Sequence, residues 1–303
     1  MAVTAKMVKE LREKTGVGMM DCKKALAECD GDLEAAVDWL RKKGLSSASK
    51  KSGRVAAEGK VVTASANGVG VLLEVNSETD FAAKNEKFIA FAQQAVELAL
   101  ENKSTDIEAF KNLPFPGTGR TAGEELTHQI STIGENMNLR RVALLEVSQG
   151  SVASYIHMGG KIGVLVGLES DSDNQEALAE LGKKVAMHVA ASSPPYLNRQ
   201  SVPEADLKRE KDILSDQARA SGKPEQIIEK MVMGRINKFY GENCLLEQPF
   251  VMDPDQKVGN VVEAAAKALG AKISVSGFQR FVLGEGIQKR DDDFASEVAK
   301  QVG

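Results

Sequence analysis

The chain has 303 residues, more than the roughly 100–200 residues of one ordinary domain, so its length predicts at least two domains. Hydrophobic residues make up 42% of the chain, which is enough to form buried cores. The net charge of −4 lacks the basic excess of a dedicated nucleic-acid binder, and no apolar run reaches the roughly 20 residues of a membrane span. We therefore expect no direct nucleic-acid partner and no membrane partner. The amphipathic first segment lacks the features of a signal or transit peptide, which favours a cytoplasmic location.

Three short amphipathic helices are predicted within residues 1–54. Thr4 can cap the first helix, the Gly16-Val17-Gly18 run separates it from the second, and the Asp30-Gly31-Asp32 turn precedes the third. We expect Gly44 to end the third helix. The residues that follow it, LSSASKKSGR, are rich in Ser and Lys and are typical of a linker.

An internal duplication of a β-hairpin followed by a helix is predicted in the middle of the chain. Two β runs meet at Asn67-Gly68, a strong hairpin signal, and caps within Ser77–Asp80 can begin a long helix. A second hairpin is expected to turn at His157–Gly160 and to lead into a second helix. The apolar residues of 91–99 and 181–189 align between the two copies, as a repeated unit requires.

The remaining segments complete an α+β fold class with small antiparallel sheets. Residues 113–123 are predicted to form a loop because of their Pro and Gly content, and residues 124–140 are predicted to be helical. Two helical stretches within 203–240 are joined by a short turn, which predicts an antiparallel helical hairpin. A strand is expected at the end of 246–283, and a short helix at Asp293–Val298.

These patterns predict a division of the chain into domains. The boundaries are 1–54 for the three-helix bundle and linker, 55–150 for the first core subdomain, 151–198 with 246–283 for the second core subdomain, 199–245 for the inserted helical hairpin, and 284–303 for a C-terminal helical module.

Motifs for nucleotide, metal or hydrolytic chemistry are missing from the sequence. No Gly-Lys pair completes a phosphate-binding loop, and no nucleophile elbow or zinc-protease motif occurs. Glu74, Glu78 and Asp80 cluster near one strand end, where they form either an acid–base pair or a helix cap with two solvated charges. Cys22 and Cys29 are interpreted as small hydrophobic residues, since a two-cysteine metal site would need partners that the scattered histidines do not supply. We expect no enzyme activity, no cofactor and no metal.

Four segments closely resemble the bacterial elongation factor Ts family. They are LREKTGVGMMDCKKALAECDGDLEAAVDWLRKKG near the start, VNSETDFAAKNEKF, IGENMNLRR and QPFVMDP, and they occur in order over nearly the whole chain. The resemblance implies a guanine nucleotide exchange factor for elongation factor Tu, which binds the GDP-bound GTPase, disturbs its Mg²⁺ and phosphate site and promotes GDP release in translation elongation. It implies that the first domain is similar to the ubiquitin-associated three-helix bundle. It also implies that the chain has the long form of the family, in which a coiled-coil hairpin is inserted. Homodimerisation within a larger complex is a further option that it raises.

The resemblance also implies which residues contact the GTPase. The segment Thr79, Asp80 and Phe81 matches the family motif that inserts near the Mg²⁺ side of the nucleotide site. The partner-binding residues carried over by motif are Lys23, Asp80, Phe81, Ile133, Gly134, His157, Val251 and Met252.

Residue patterns alone leave simpler interpretations open. Ile133, Val251 and Met252 could be core residues, while Lys23 and His157 could be ordinary surface residues. Phe81 lies seven residues before the next phenylalanine, so both rings could share one buried helix face. We expect Phe81 to be exposed instead, since it follows a run of caps. The alternative functions are a peptide- or ubiquitin-type binding adaptor without exchange activity and an enzyme that uses Asp80 and its neighbouring acids.

Overall fold

The computed structural model describes residues 3–220 and 224–288, and within these ranges it confirms the predicted α+β class. The helices are α1 (Ala5–Thr15), α2 (Met19–Glu28), α3 (Leu33–Lys51), α4 (Asp80–Ala83), α5 (Glu86–Glu101), α6 (Ile107–Lys111), α7 (Ala122–Ile133), α8 (Gln175–Ser192), α9 (Glu204–Arg219), α10 (Glu225–Asn243) and α11 (Val258–Leu269). The strands are β1 (Glu58–Ala66), β2 (Val69–Ser77), β3 (Pro114–Phe115), β4 (Arg120–Thr121), β5 (Met137–Glu146), β6 (Gly150–His157), β7 (Ile162–Ser170), β8 (Pro249–Phe250), β9 (Asp253–Lys257) and β10 (Ile273–Val282). The short helix predicted at 293–298 lies outside the described residues. No helix of the described part is long and apolar enough to cross a membrane.

The first three helices pack around a small hydrophobic cluster of their own. Leu11 of α1, Leu26 of α2 and Ala36 of α3 are fully buried in this cluster. Thr4 caps α1 by accepting a hydrogen bond from a backbone N–H, and the Asp32 carboxylate does the same at the start of α3. Both helix starts were predicted from these residues.

The prediction that α3 ends at Gly44 is wrong, because the helix continues to Lys51. Gly44 allows α3 to approach α7 closely: a Cβ atom there would lie 2.9 Å from the Ser131 hydroxyl oxygen. Ala48, one turn further on, packs against the core cluster beneath α5. This contact with the core offsets the roughly 1 kcal/mol that a glycine costs inside a helix. Most of the expected linker is therefore part of α3, which contacts the core through Ala48.

Two three-stranded antiparallel sheets carry the duplication. Their strand orders are β1-β2-β5 and β6-β7-β10, with a hairpin supplying two strands and a distant segment supplying the third. In each copy a helix follows the hairpin, α5 or α8, and another helix precedes the third strand, α7 or α11. The repeat is therefore longer than the hairpin and single helix that the sequence predicted.

The two sheets pack face to face, and the helices cover their outer faces. On β2, Val71 and Leu73 face the cluster beneath α5, whereas Leu72 faces the second sheet. Leu165 of β7 enters the same layer between the sheets. Glycine is required here, because a Cβ atom at Gly163 would lie 2.4 Å from a Val61 methyl group. The layer order is helix, sheet, sheet, helix.

Three further boundaries differ from the sequence predictions. The long helix expected after Ser77–Asp80 is split into α4 and α5, because Asn85 caps a new helix start. The helix expected over 124–140 ends at Ile133, where Gly134 adopts a left-handed φ of 91°, and β5 follows. The loop expected at 113–123 contains the β3–β4 hairpin and the start of α7. The sequence patterns predicted neither α6 nor α11.

Helices α9 and α10 pack against each other within the segment 199–245. Arg235 of α10 donates a hydrogen bond to the Gln217 side chain of α9 at 3.0 Å. The two ends of the segment lie side by side, because Tyr196 and Cys244 form a parallel bridge. The chain thus leaves the second core subdomain and returns to it at adjacent positions.

A buried carboxylate joins the two sheets. Glu74 of β2 has no solvent exposure and accepts hydrogen bonds from Arg140 at 2.9 Å, Arg141 at 2.6 Å and the Gly284 N–H at 2.9 Å. Burial alone would raise the pKa of Glu74, but the backbone N–H and the side-chain donors hold this pKa below its ordinary value. The Arg141 guanidinium also lies 4.1 Å from the centre of the Phe281 ring. The carboxylate therefore ties β2 and β5 to the end of β10.

We predict that Glu74→Gln lowers the free energy of unfolding by about 3 kcal/mol at pH 7, because Arg140 loses its carboxylate partner and Arg141 keeps only the exposed Glu285. The folded-state pKa lies below the unfolded value, so this contribution is complete above about pH 4.3 and is lost as the pH falls below it. Urea melts of wild type and variant at pH 7 and pH 3 measure the difference. An equal difference at both pH values would contradict the prediction, and Glu101→Gln, at an exposed glutamate, is the matched control.

Candidate functional site

Phe81 lies on the outside of the protein at the point where β2 gives way to α4. Its side chain is 80% exposed, which is unusual for a phenylalanine. Thr79, not Asp80, is the cap of α4: its hydroxyl accepts a hydrogen bond from the Ala82 N–H at 3.2 Å. The expectation that Phe81 is exposed is confirmed, and the interpretation as a core residue is wrong.

A second segment holds the Thr79–Phe81 segment in place. The Glu135 carboxylate accepts hydrogen bonds from both the Thr79 N–H at 2.9 Å and the Thr79 hydroxyl at 2.7 Å. Next to this contact, the Asn136 N–H donates to the Glu78 carboxylate at 2.5 Å. A bidentate carboxylate contact fixes both position and orientation. The backbone that presents Phe81 is therefore set by residues distant in sequence.

We call the two hydrogen bonds from Thr79 to Glu135 the Glu135 clamp. Ile133 and Gly134 directly precede Glu135 in the chain. Ile133 is half-buried and packs against the cluster beneath α5, so it has one face in the core and one toward solvent. Gly134 is exposed and ends α7, with its N–H bonded to the Ile130 carbonyl. Its φ of 91° favours glycine over any side chain with a Cβ.

The acidic residues near Phe81 are engaged in separate contacts. Asp80 accepts a hydrogen bond from Lys84 at 2.6 Å, which holds the pKa of this carboxyl below its usual range. Lys161, beside the second hairpin turn, contributes to the same effect. The Lys84 ammonium lies 5.7 Å from the centre of the Phe81 ring. Glu74, Glu78 and Asp80 thus each have partners of their own, an arrangement that favours caps and ion pairs over an acid–base pair.

His157 is exposed at the end of β6, and its Nδ1 atom lies 3.0 Å from the Tyr155 hydroxyl. The turn that follows presents Met158, which is 70% exposed. This turn is anchored to the first sheet, because the Gly160 carbonyl accepts a hydrogen bond from the Val61 N–H at 2.8 Å. The second hairpin turn therefore has a fixed position relative to β1.

Val251 and Met252 form the turn between β8 and β9. They are 48% and 46% exposed, whereas the preceding Phe250 is buried. The Val251 N–H donates a hydrogen bond to the ring of the fully buried His188 at 3.1 Å. The structure thus places both residues on the surface, and the interpretation of Val251 and Met252 as core is wrong.

Lys23 is exposed on α2, on the three-helix unit that also exposes Met19 and Met20. The structure therefore brings the Thr79–Phe81 segment together with 133–136, while Lys23 lies on a separate element. Within the described ranges, no group of three His, Cys, Asp or Glu side chains is arranged to hold a metal ion.

Two residues that hold the site were missed by sequence reasoning. Glu135 clamps Thr79, and it lies directly after Gly134 in the segment IGENMNLRR, so that segment already contained the signal. His188 had no such signal, because it is a single histidine on an apolar helix face far from Val251 in sequence.

The chain thus has the class of an α+β protein that exposes large apolar side chains at its turns, a feature typical of protein-binding surfaces. The family model described as Elongation factor TS matches residues 78–285. Elongation factor Ts of Magnetococcus marinus is 66% identical over 302 residues, covering 100% of this chain and 99% of that protein. The proteins of the same name from Syntrophotalea carbinolica and Rhodospirillum centenum are 56% and 58% identical, each covering 99% of this chain and 99% of the relative. The chain belongs to the elongation factor Ts family, which confirms the resemblance seen in its motifs.

We predict that Thr79→Val lowers the free energy of unfolding by about 1–2 kcal/mol, because it removes the cap of α4 and the hydroxyl that donates to Glu135. Thr79→Ser keeps both hydrogen bonds and is expected to stay within about 0.5 kcal/mol of wild type. Urea melts, with hydrogen exchange at the Ala82 amide, measure the loss. Equal stability of the two variants would show that the clamp contributes nothing.

Proposed function

We propose that this protein is a guanine nucleotide exchange factor for elongation factor Tu, which acts in the cytoplasm during translation elongation. Membership of the elongation factor Ts family supports the proposal, since the relatives carry that name over their whole length. The observation that carries it is the exposed Phe81, held on a clamped segment. An exchange factor weakens GDP binding only while it is bound to the GTPase and makes or breaks no covalent bond, so the proposed activity is not that of an enzyme.

The mechanism follows from thermodynamic linkage. A GTPase holds GDP through its phosphate loop and Mg²⁺. A protein that binds the nucleotide-free GTPase more tightly than the GDP-bound form must weaken GDP binding by the same factor. In this proposal Phe81, with Thr79 and Asp80, inserts near the Mg²⁺ and phosphate site and disturbs it. The factor itself then needs no nucleotide site and no cofactor.

A rigid presentation of Phe81 is what this mechanism requires. The free energy gained by inserting an apolar ring into the partner is reduced if binding must first order a mobile segment. The Glu135 clamp and the Thr79 cap fix the backbone on either side before binding occurs. The Lys84 side chain further limits the motion of the Phe81 ring, because its ammonium lies over the ring and donates a hydrogen bond to Asp80.

The other motif residues complete the proposed contact surface. Lys23 would bind from the three-helix unit, which we propose is of the ubiquitin-associated type and comprises residues 1–54. Ile133 and Gly134 would contact the partner beside the clamp, His157 from the second hairpin turn, and Val251–Met252 from the β8–β9 turn. Our proposal keeps the core subdomains 55–150 and 151–198 with 246–283, and it treats 199–245 as an inserted coiled-coil hairpin. Homodimerisation within the complex belongs to the same proposal.

Release of labelled GDP from elongation factor Tu tests the proposed function. The expected result is faster release at substoichiometric amounts of the protein, since an exchange factor turns over. A protein that binds the GTPase without accelerating release would be an adaptor, and this would contradict the proposal. Absence of any complex would contradict it as well.

We predict that Phe81→Ala leaves the free protein stable, within about 0.5 kcal/mol of wild type, because the ring is exposed. The variant is expected to lose about 30- to 150-fold in affinity for the nucleotide-free GTPase, equivalent to roughly 2–3 kcal/mol of apolar contact. Denaturant melts measure the stability, a titration of the nucleotide-free GTPase measures the affinity, and GDP-release rates measure exchange. The matched control is Ile89→Ala, at an apolar residue of α5 that is 43% exposed. An equal loss of exchange in both variants would refute a specific role for Phe81.

A further inference from the structure

His188 is the only histidine with no solvent exposure among the described residues, and both of its ring nitrogens have partners. The Nδ1 atom lies 3.1 Å from the Val251 backbone nitrogen, and the Nε2 atom lies 2.9 Å from the Gln248 side-chain oxygen. The ring also contacts Phe250, with centroids 5.8 Å apart. A histidine on the inner side of α8 thus touches three residues that lead into the β8–β9 turn.

The partners of His188 define a single tautomer. A backbone N–H can only donate, so Nδ1 must carry a lone pair toward Val251. The hydrogen then resides on Nε2, which donates to the Gln248 oxygen. The Gln248 amide nitrogen in turn donates to the Glu242 carbonyl at 2.7 Å, and this contact fixes the orientation of the amide. Every donor in this chain of hydrogen bonds faces an acceptor.

Burial favours the same neutral form. It lowers the pKa of His188, while the hydrogen bond to Gln248 opposes the effect in part. An added proton on Nδ1 would place one N–H against another at Val251. The chain of hydrogen bonds therefore needs the neutral ring with its hydrogen on Nε2.

The end of this chain carries two exposed apolar side chains. Phe250 is buried beside His188, whereas Val251 and Met252 are about half exposed. An apolar turn of this kind lowers its free energy by folding its side chains inward. The hydrogen bond from the Val251 N–H to the buried ring on the inner side of α8 opposes that collapse and satisfies a backbone donor. The other end of the chain lies at Glu242, in the last turn of α10.

We infer that His188 is a positioning residue for the partner-contacting turn Val251–Met252, which it holds through the Nδ1 acceptor while Gln248 links it to the base of α10. This inference rests on the proposed function, since it assigns to the turn a share of the affinity for elongation factor Tu. The role differs from that of Phe81. The β8–β9 turn contributes to binding, whereas the Phe81 segment disturbs the nucleotide site.

Two substitutions at His188 separate its two hydrogen bonds. His188→Asn places an acceptor oxygen near the position of Nδ1 and loses the contact with Gln248. His188→Gln places a donor near the position of Nε2 and loses the acceptor for Val251. Both variants lose the ring contact with Phe250 and one buried hydrogen bond, so each is the control for the other in stability.

We expect His188→Gln to raise the KM for the GDP-bound GTPase about tenfold, which corresponds to about 1.4 kcal/mol, with kcat unchanged. His188→Asn is expected to change KM less than about threefold at a similar melting temperature. Equal changes of KM in the two variants, or none in either, would overturn the inference.

Hydrogen exchange at the Val251 amide of the free protein distinguishes failure of this inference from failure of the proposed function. We expect protection in wild type and in His188→Asn and fast exchange in His188→Gln. Fast exchange in wild type would overturn the inference even if exchange activity is present. An inactive wild type with the expected protection pattern would refute the proposed function while the hydrogen-bond arrangement stands.

Discussion

The buried carboxylate of Glu74 is the interaction on which the arrangement of the two sheets depends. Apolar packing between the sheets is not directional, but the ion pairs to Arg140 and Arg141 and the bond from Gly284 fix where the end of β10 lies. The candidate contact residues come from both sheets, because Phe81 follows a strand of the first and His157 ends a strand of the second. The contacts of Glu74 and the hydrogen bond from the Val61 N–H to the Gly160 carbonyl together fix their relative position.

The same principle recurs closer to the surface, where a half-buried carboxylate and a buried histidine hold exposed apolar side chains. Glu135 receives two hydrogen bonds from Thr79 and so sets the direction of the chain at Phe81. His188 accepts one from Val251 and so holds the turn that exposes Met252. An exposed apolar side chain lowers its free energy when it folds inward out of water. A directional hydrogen bond from the backbone of the same residue opposes that inward movement. Binding can then begin without a cost of ordering the surface.

Much of the fold could be predicted from sequence because it is encoded locally. Asn67-Gly68 adopts the left-handed turn that its composition predicts, and the cap at Asp32 begins a helix as expected. The failures occur where distant contacts override local preference. Gly44 continues a helix because α3 packs on Ser131, a contact that no local pattern contains. The positions of the candidate residues came from a family resemblance, and the residues that support them, Glu135 and His188, were found only through three-dimensional contacts.

In the proposed function, the protein binds its partner through apolar side chains that hydrogen-bonded polar groups hold in place. A double-mutant cycle of Phe81→Ala and Glu135→Ala, measured as affinity for nucleotide-free elongation factor Tu, tests it most directly. If Glu135 acts by placing Phe81, its removal costs far less once the ring is gone, and the coupling exceeds about 1 kcal/mol. Losses that add to within about 0.5 kcal/mol would show that the two residues act independently and would contradict the account.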